Sequence, residues 1–507
     1  MQKTFLGSDL VKQNDKQKAQ KKAVMPVSWR VLKVLLGIIV GLVVWNLPST
    51  AFGIDNLTVI EQRVIALFCF ATIMWITEGI PSWATSVAII VILLFTASDN
   101  SLSLFRLHID DNPQFGTLMS SRKIMACFAD PVIMLFIGGF MLAFAATKAG
   151  LDIKLAKALL KPFGTKSENV LLGFILVTGV FSMFLSNTAT AAMMLTFLTP
   201  VIKSLPANGK GRLALALAIP VGANLGGIAT PIGTPPNAIA IKFLNDPDGM
   251  AMNIGFGDWM TIMLPLTLVL LVISWLVIRL LFPFTQKTIE LKIEESPERV
   301  LKPWQEIVVY ITFGLTVLLW MSDKWTHVDA NVVAMLPVGV FCVTRIITKY
   351  DLAEINWCIL WMVAGGFALG LALQDSGLAK HLVASIPFNE WPPVLMIIGS
   401  GLICYLLANF ISHTATANLL IPILTLAGMS AAQNLEPFGG VSTLLIGVAL
   451  GSSLSMVLPI STPPNALAHS TGFIEQKDMI KVGVIMGVIG LTLGYVVLVF
   501  AGKGGLI

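Results

Sequence analysis

A seven-residue run stands twice in this chain in nearly the same form, as Phe184-Leu-Ser186-Asn187-Thr188-Ala-Thr190 and as Phe410-Ile-Ser412-His413-Thr414-Ala-Thr416. Each copy is followed by Thr-Pro-Pro-Asn, at Thr234 to Asn237 and at Thr462 to Asn465. Ser186 recurs 226 residues on as Ser412, and Thr234 recurs 228 residues on as Thr462. Two halves therefore share one plan. Hydroxyls, an amide and helix-breaking prolines inside apolar stretches are how membrane proteins hold a polar solute at mid-depth. One mismatch, Asn187 against His413, falls inside the plan.

The environment follows from composition. With 56% hydrophobic and 12% charged residues and a mean hydropathy of +0.83, the chain is an all-α polytopic membrane protein, not a soluble domain. Its first 28 residues are polar and basic, with Lys3, Lys12, Lys16, Lys18, Lys21 and Lys22. They lead into a first span near 30–47, which predicts a cytoplasmic N-terminus in the plasma (inner) membrane. The net charge of +5 then reflects topology and not nucleic-acid binding. Cysteines 69, 127, 342, 358 and 404 lack metal or disulfide spacing. No HExxH, P-loop or GxSxG pattern accompanies the five histidines, so neither an ATPase nor a hydrolase is indicated.

At about 20 apolar residues per span, further spans are expected near 61–77, 82–97, 131–148, 209–243, 258–284, 303–321, 328–347, 354–374, 440–470 and 480–502, about eleven in all. Two stretches, 168–204 and 391–427, are too long for one helix and carry the Ser-Asn/His-Thr element centrally. They read as two re-entrant hairpins, with two full crossings each as the alternative. Lys166, Glu168 and Lys203 at the ends of the first suit entry and exit on one side. The repeat extends to Gly138-Gly139-Phe140 against Gly365-Gly366-Phe367, and more loosely to Trp75 through Ala84 against Trp320 through Ala330. Five crossings per half is odd, so the second half enters from the opposite side and the halves form an inverted repeat. Leu151 to Phe163 and Leu378 to Pro387 read as interfacial helices, or equally as plain surface helices.

If the tip at Ser186-Asn187-Thr188 breaks a helix, free N–H groups at the next helix start offer partial positive charge to an anion. In Thr230-Pro231-Ile-Gly233-Thr234-Pro235-Pro236-Asn237, three prolines remove N–H groups and free carbonyls that attract a cation. Packing alone explains small residues and prolines in one half; paired occurrence in both halves favours a binding site. An ion channel would need a filter or ring motif and an enzyme a catalytic cluster, and neither is evident.

These elements, with Trp75 to Pro81, resemble the divalent anion:sodium symporter family of di- and tricarboxylate transporters over nearly the whole chain after the basic leader. The resemblance implies a homodimer and an elevator transporter whose protomer has a scaffold domain (29–164 and 303–388) and a transport domain (165–285 and 389–507), joined through a cytoplasmic linker at 286–302. It implies a dicarboxylate held by Asn187, Thr188, Thr234, Ser412, Thr414, Thr462 and Pro463, between two sodium clamps. Ser182, Ser186, Asn187 and Gly233 match the first clamp. The second departs from the family: its amide is His413 and the hydroxyl one turn earlier is Ala408, leaving Ser412, His413 and Ser461 as a doubtful Na+ site. His413 can bind a carboxylate and, if protonated, replace the missing cation; the alternative is a neutral ring bonded to the hairpin backbone. A fixed cation would favour anion exchange, and the alternative is sodium-coupled symport of dicarboxylate, citrate or sulfate. Sodium is the only ion implied; no organic cofactor is expected.

Overall fold

The computed structural model describes residues 27–289 and 301–506, except positions 55, 108, 110, 111, 207, 208, 248 and 386. The basic leader and most of the linker thus lie outside the described residues. Helices dominate, and the described residues hold only two isolated β-bridges. In chain order the main helices are α1 Val27–Asn46, α2 Val59–Thr77, α3 Ser82–Thr96, α4 Pro131–Lys148, α5 Leu151–Leu160, α6 Ser167–Phe184, α7 Asn187–Ser204, α8 Lys210–Gly226, α9 Pro235–Leu244 and α10 Phe256–Leu281. The second half contributes α11 Pro303–Met321, α12 Ala330–Val343, α13 Trp357–Asp375, α14 Leu378–Ser385, α15 Leu395–Ala408, α16 His413–Ser430, α17 Gly440–Leu454, α18 Pro463–Ser470 and α19 Gln476–Lys503.

Polar contacts between helix ends sort the bundle into two faces. At the first face, Lys33 donates to the Thr77 carbonyl (3.0 Å), Lys148 pairs with Asp351 (2.5 Å) and Lys154 with Glu306 (3.2 Å). At the second, Gln62 donates to Leu47 O (2.6 Å), Arg63 to Thr96 O (2.5 Å), Lys242 pairs with Asp130 (2.9 Å), Lys123 with Asp375 (3.2 Å), and Gly257 N donates to Asp323 (3.2 Å). Among the described residues, eleven passes run from one face to the other: α1, α2, α3, α4, α8 with α9, α10, α11, α12, α13, α17 with α18, and α19. Nine described helices are long and apolar enough to cross on their own; α3, α12 and α17 fall short, and α6 is among the nine although it does not cross.

Both hairpins are re-entrant. Ser167, opening α6, donates to Gln286 O (2.6 Å) just past α10, and Gly209, following α7, lies beside Thr285. Entry and exit therefore share the first face. In the second half, Tyr495 near the end of α19 donates to Ile397 O in α15 (2.9 Å), and Gly439 after α16 packs on Gly502. That hairpin follows α14, which His381 ties to Glu61 at the second face (2.8 Å). The two hairpins enter from opposite faces, as an inverted repeat requires. Their arms are not half-helices: α6 and α7 have 18 residues each, about 27 Å at 1.5 Å per residue. Position, not length, makes them re-entrant, because the tip at Ser186 meets the break in the middle of the α8–α9 crossing.

Packing keeps the same symmetry. Gly138 of α4 seats on Ala334 of α12, and Gly365 of α13 seats on Ser86 of α3, so each half's Gly-Gly-Phe span packs against a crossing of the other half. In the same way α9 packs on α16 and α18 on α7. The two halves thus close one buried core around the four signature elements.

Candidate functional site

Each tip is built by its own serine. Ser186 Oγ accepts from Ala189 N (3.3 Å) and Ser412 Oγ from Ala415 N (3.2 Å), N-caps that stop one arm and start the next. Each Thr-Pro-Pro element starts a helix as well, with proline where the missing N–H is not needed. Its asparagine explains the break. Asn237 Nδ2 donates to the carbonyls of Gly227 (3.0 Å), Ile228 (3.3 Å) and Thr230 (2.9 Å), and Asn465 Nδ2 to those of Met456 (2.8 Å) and Leu458 (3.1 Å). The carbonyls freed at the break, expected to attract a cation, are thus largely taken by an amide. Thr230 Oγ1 additionally donates to Met183 O, tying the first break to the first tip.

The four elements converge on one cavity of about 190 Å³, below the roughly 300–1,000 Å³ of drug-sized pockets and suited to a small solute. Asn187, Thr188, Thr234, Ser412, His413, Thr414, Thr462 and Pro463 all line it, as do Ser186, Gly233 and Ser461. Phe136, Gly139 and Phe140 of α4 and Ile359 and Met362 of α13 form the facing wall. Among the described residues no lysine, arginine, aspartate or glutamate lines it, so charge recognition falls to hydroxyls, amides, helix starts and His413.

Ser182 lies behind the cavity, fully buried. Its hydroxyl donates to Ala223 O (2.7 Å) and lies 2.6 Å from Asn187 Oδ1. That carboxamide oxygen faces only acceptors, including Ala223 O and Gly233 O. Two arrangements satisfy it: rotation of the amide, so that nitrogen donates to Ser182 Oγ (2.6 Å) and Gly233 O (3.0 Å), or a cation among these oxygens. The donor set is neutral oxygen, which suits a monovalent ion; no described cluster of His, Cys, Asp or Glu suits a transition metal.

The equivalent place in the second half is closed by protein hydrogen bonds. His413 Nε2 sits 2.8 Å from Ser455 O, and because a carbonyl only accepts, Nε2 carries the proton. Ser452 Oγ donates to His413 O (2.8 Å), Ser461 Oγ to Asn409 O (2.9 Å), and Asn409 Oδ1 accepts from Val457 N (2.9 Å). Buried Ala408 offers no oxygen. Asn237 and Asn465 were visible as the fourth letter of the repeated element. Asn224, Asn409, Ser452 and Ser455 carry no repeated signature and emerge only from the fold.

A family model described as citrate transporter matches residues 72–443. The sodium-dependent dicarboxylate transporter SdcS of Staphylococcus saprophyticus subsp. saprophyticus is 30% identical over 501 residues, covering 92% of this chain and 91% of that protein. SdcS of Staphylococcus aureus (strain USA300) is 30% identical over 485 residues, covering 89% and 87%. Among solved structures, Neisseria gonorrhoeae MtrF, described as illuminating a class of antimetabolite efflux pumps, shares the fold with a TM-score of 0.52 at 13% identity, over 83% of this chain and 95% of that one. With the duplicated tips and breaks gathered on one cavity, the chain belongs to the divalent anion:sodium symporter family of di- and tricarboxylate transporters.

Proposed function

We propose that this protein is a secondary carrier of C4/C5 dicarboxylates in the plasma membrane. The observation that carries this reading is the convergence of both tips and both Thr-Pro-Pro elements on one cavity of neutral donors. The α7 and α16 starts supply partial positive charge, and Ser186, Thr188, Ser412 and Thr414 supply hydroxyls for carboxylate oxygens. Transport proceeds by an elevator motion in which 165–285 and 389–507 move against 29–164 and 303–388 within a homodimer. The first face is cytoplasmic: Lys148, Lys154, Lys210 and Lys302 flank helix ends there, whereas Asp130, Asp323 and Asp375 mark the second.

The altered second clamp points to exchange. Nε2–H is committed to Ser455 O, so only protonation of the buried ring at Nδ1 would make His413 a fixed cation in place of a sodium ion. An empty carrier then moves an unpaired charge through an apolar interface, at high cost, whereas the loaded carrier moves neutralised. The oxygens around Asn187 favour a second reading, sodium-coupled symport through the first clamp, as the names of the SdcS relatives suggest. Proteoliposomes separate the two. Uptake of labelled succinate, malate, 2-oxoglutarate, citrate and sulfate is measured with and without internal dicarboxylate and a sodium gradient. Exchange requires internal anion; sodium-driven uptake into empty vesicles, undiminished in His413→Asn, would overturn it. Absence of saturable dicarboxylate uptake in every condition rejects the carrier reading.

A further inference from the structure

The hydrogen bonds around Asn465 leave no freedom in the orientation of its neighbours. Asn465 Nδ2 donates to two backbone carbonyls, Met456 O and Leu458 O, so its Oδ1 must face the other way. There it meets Asn224 Nδ2 at 3.0 Å. Only a donor can stand opposite Oδ1, which fixes the Asn224 carboxamide as well. The same Asn224 nitrogen lies 3.2 Å from Thr462 Oγ1, which also accepts from Asn465 N at 3.2 Å. Two N–H groups thus occupy both lone pairs of the Thr462 hydroxyl. Among the described residues its proton has no acceptor, and the residue lines the cavity.

We propose that Asn224 is a positioning residue of the anion site: it reaches from the first half into the second and holds the Thr462 hydroxyl as an obligate donor toward bound carboxylate. The proposal rests on the carrier reading above and deepens it. Thr234, the repeat partner of Thr462, receives no side-chain cap bond, so the two otherwise equivalent threonines differ in preparation for an anion. The arrangement carries a cost that packing does not explain. Asn224 is 1% exposed and its Oδ1 has no hydrogen-bond partner, an orphan retained alongside the nitrogen that works. Position 224 also follows Ala223, whose carbonyl belongs to the oxygen cluster at Asn187, so the first clamp and the Thr462 donor share one turn of α8.

The test is dicarboxylate uptake in proteoliposomes, with KM and maximal rate measured separately. Asn224→Ala is expected to raise KM about tenfold, the scale of one hydrogen bond to a charged group, with the maximal rate held within about twofold. Asn224→Asp, nearly identical in size, turns an oxygen toward Thr462 Oγ1 and captures its proton, so KM rises further. Thr462→Val raises KM by a similar factor, and adding Asn224→Ala to it changes KM little, because both remove the same donor. Fully multiplicative effects in the double variant overturn the proposal, as does an unchanged KM in Asn224→Asp. Should Asn224→Ala fail to assemble as a monodisperse protein, the Asn224→Asp and Thr462→Val arms decide alone. Failure of the unmodified protein to take up any dicarboxylate strikes the carrier reading itself; normal uptake with an unmoved KM in the variants strikes only this inference.

Discussion

Asp152 opens α5 at the first face with its carboxyl almost fully buried, accepting from Ile153 N at 2.7 Å. Burial pushes its pKa up from 3.8 to about 6, against the lowering effect of that hydrogen bond. A raised carboxyl pKa means that the native protein binds the proton more tightly than the unfolded chain does. Stability from this group is therefore fully present below about pH 4 and lost as pH rises through about 6, leaving a penalty of roughly 3 kcal/mol at pH 8 on the 1.36 kcal/mol per unit scale. Asp152→Asn keeps the accepting oxygen and removes the charge. Its melting temperature in detergent should exceed that of the unmodified protein at pH 8 and converge with it near pH 4; an equal difference at both values rejects the assignment. Legibility differs from residue to residue in the same way that signals do. Ser186, Asn187, Thr234 and their partners stood out because the sequence repeats them, and all of them line the cavity. Asn224 did not, since its counterpart 228 residues on is Ser452, which bonds to a different partner, His413 O. The protonated nitrogen of His413 was equally hidden, because its acceptor Ser455 lies 42 residues away in a segment with no motif.

Helix crossings were readable from hydropathy, and the hairpins from polar residues amid apolar runs, but arm length was not. The arms of α6 and α7 run to full helical length, and the tip between them is tied to the broken α8–α9 crossing through Thr230 and Met183. What the sequence pattern also concealed is how closely the first arm approaches the broken helix. Gly226 of α8 sits on Gly179 of α6, where a Cβ would collide with the Gly179 carbonyl and lie 2.6 Å from its Cα. In the second half Gly451 of α17 meets Gly401 of α15 in the same backbone-to-backbone manner, with a Cβ 2.5 Å from the Gly401 carbonyl. Absent side chains are thus the means by which tip and break are brought into register. Gly226→Ala should cost about 1–3 kcal/mol of stability through overpacking and reduce uptake by displacing Ala223 and Asn224. Gly314→Ala in α11, where nothing lies within 4 Å, provides the contrast: helix propensity alone should raise stability by up to about 1 kcal/mol. Equal melting temperatures for the two variants would show that the close approach is not a constraint.

At the scale of the molecule, the odd count of crossings per half was enough to imply inversion, and the sorting of helix ends into two faces agrees with it. Which contacts join the proposed transport and scaffold assemblies was not legible, because they link residues far apart in sequence. Four lie at the second face, where Lys242 pairs with Asp130, Lys324 with Asp258, Gln374 donates to Asp246 (3.0 Å), and Asp323 receives the Gly257 N–H at the start of α10; a further one, Asn418 Nδ2 to Met362 O (2.7 Å), lies beside the substrate cavity and joins 389–507 to 303–388. In each of the four, one partner belongs to 165–285 and the other to 29–164 or 303–388. A second cavity of about 620 Å³ opens among them, running between α4 and α9 down to Pro231, adjacent in sequence to Ile232 on the wall of the substrate cavity. If the two assemblies slide past each other, the Lys242–Asp130 pair must separate once per cycle. Cysteines placed at both positions in a background lacking the five native ones can be joined by a short bifunctional maleimide. Cross-linking should abolish dicarboxylate uptake, while the same double variant treated with a monofunctional maleimide retains it. A stalled carrier that still binds dicarboxylate, measured as thermal stabilisation by the anion, identifies blocked movement and not a damaged site. Uptake persisting in the fully cross-linked protein would show that α9 and α4 remain together throughout transport, and the elevator reading would have to be given up.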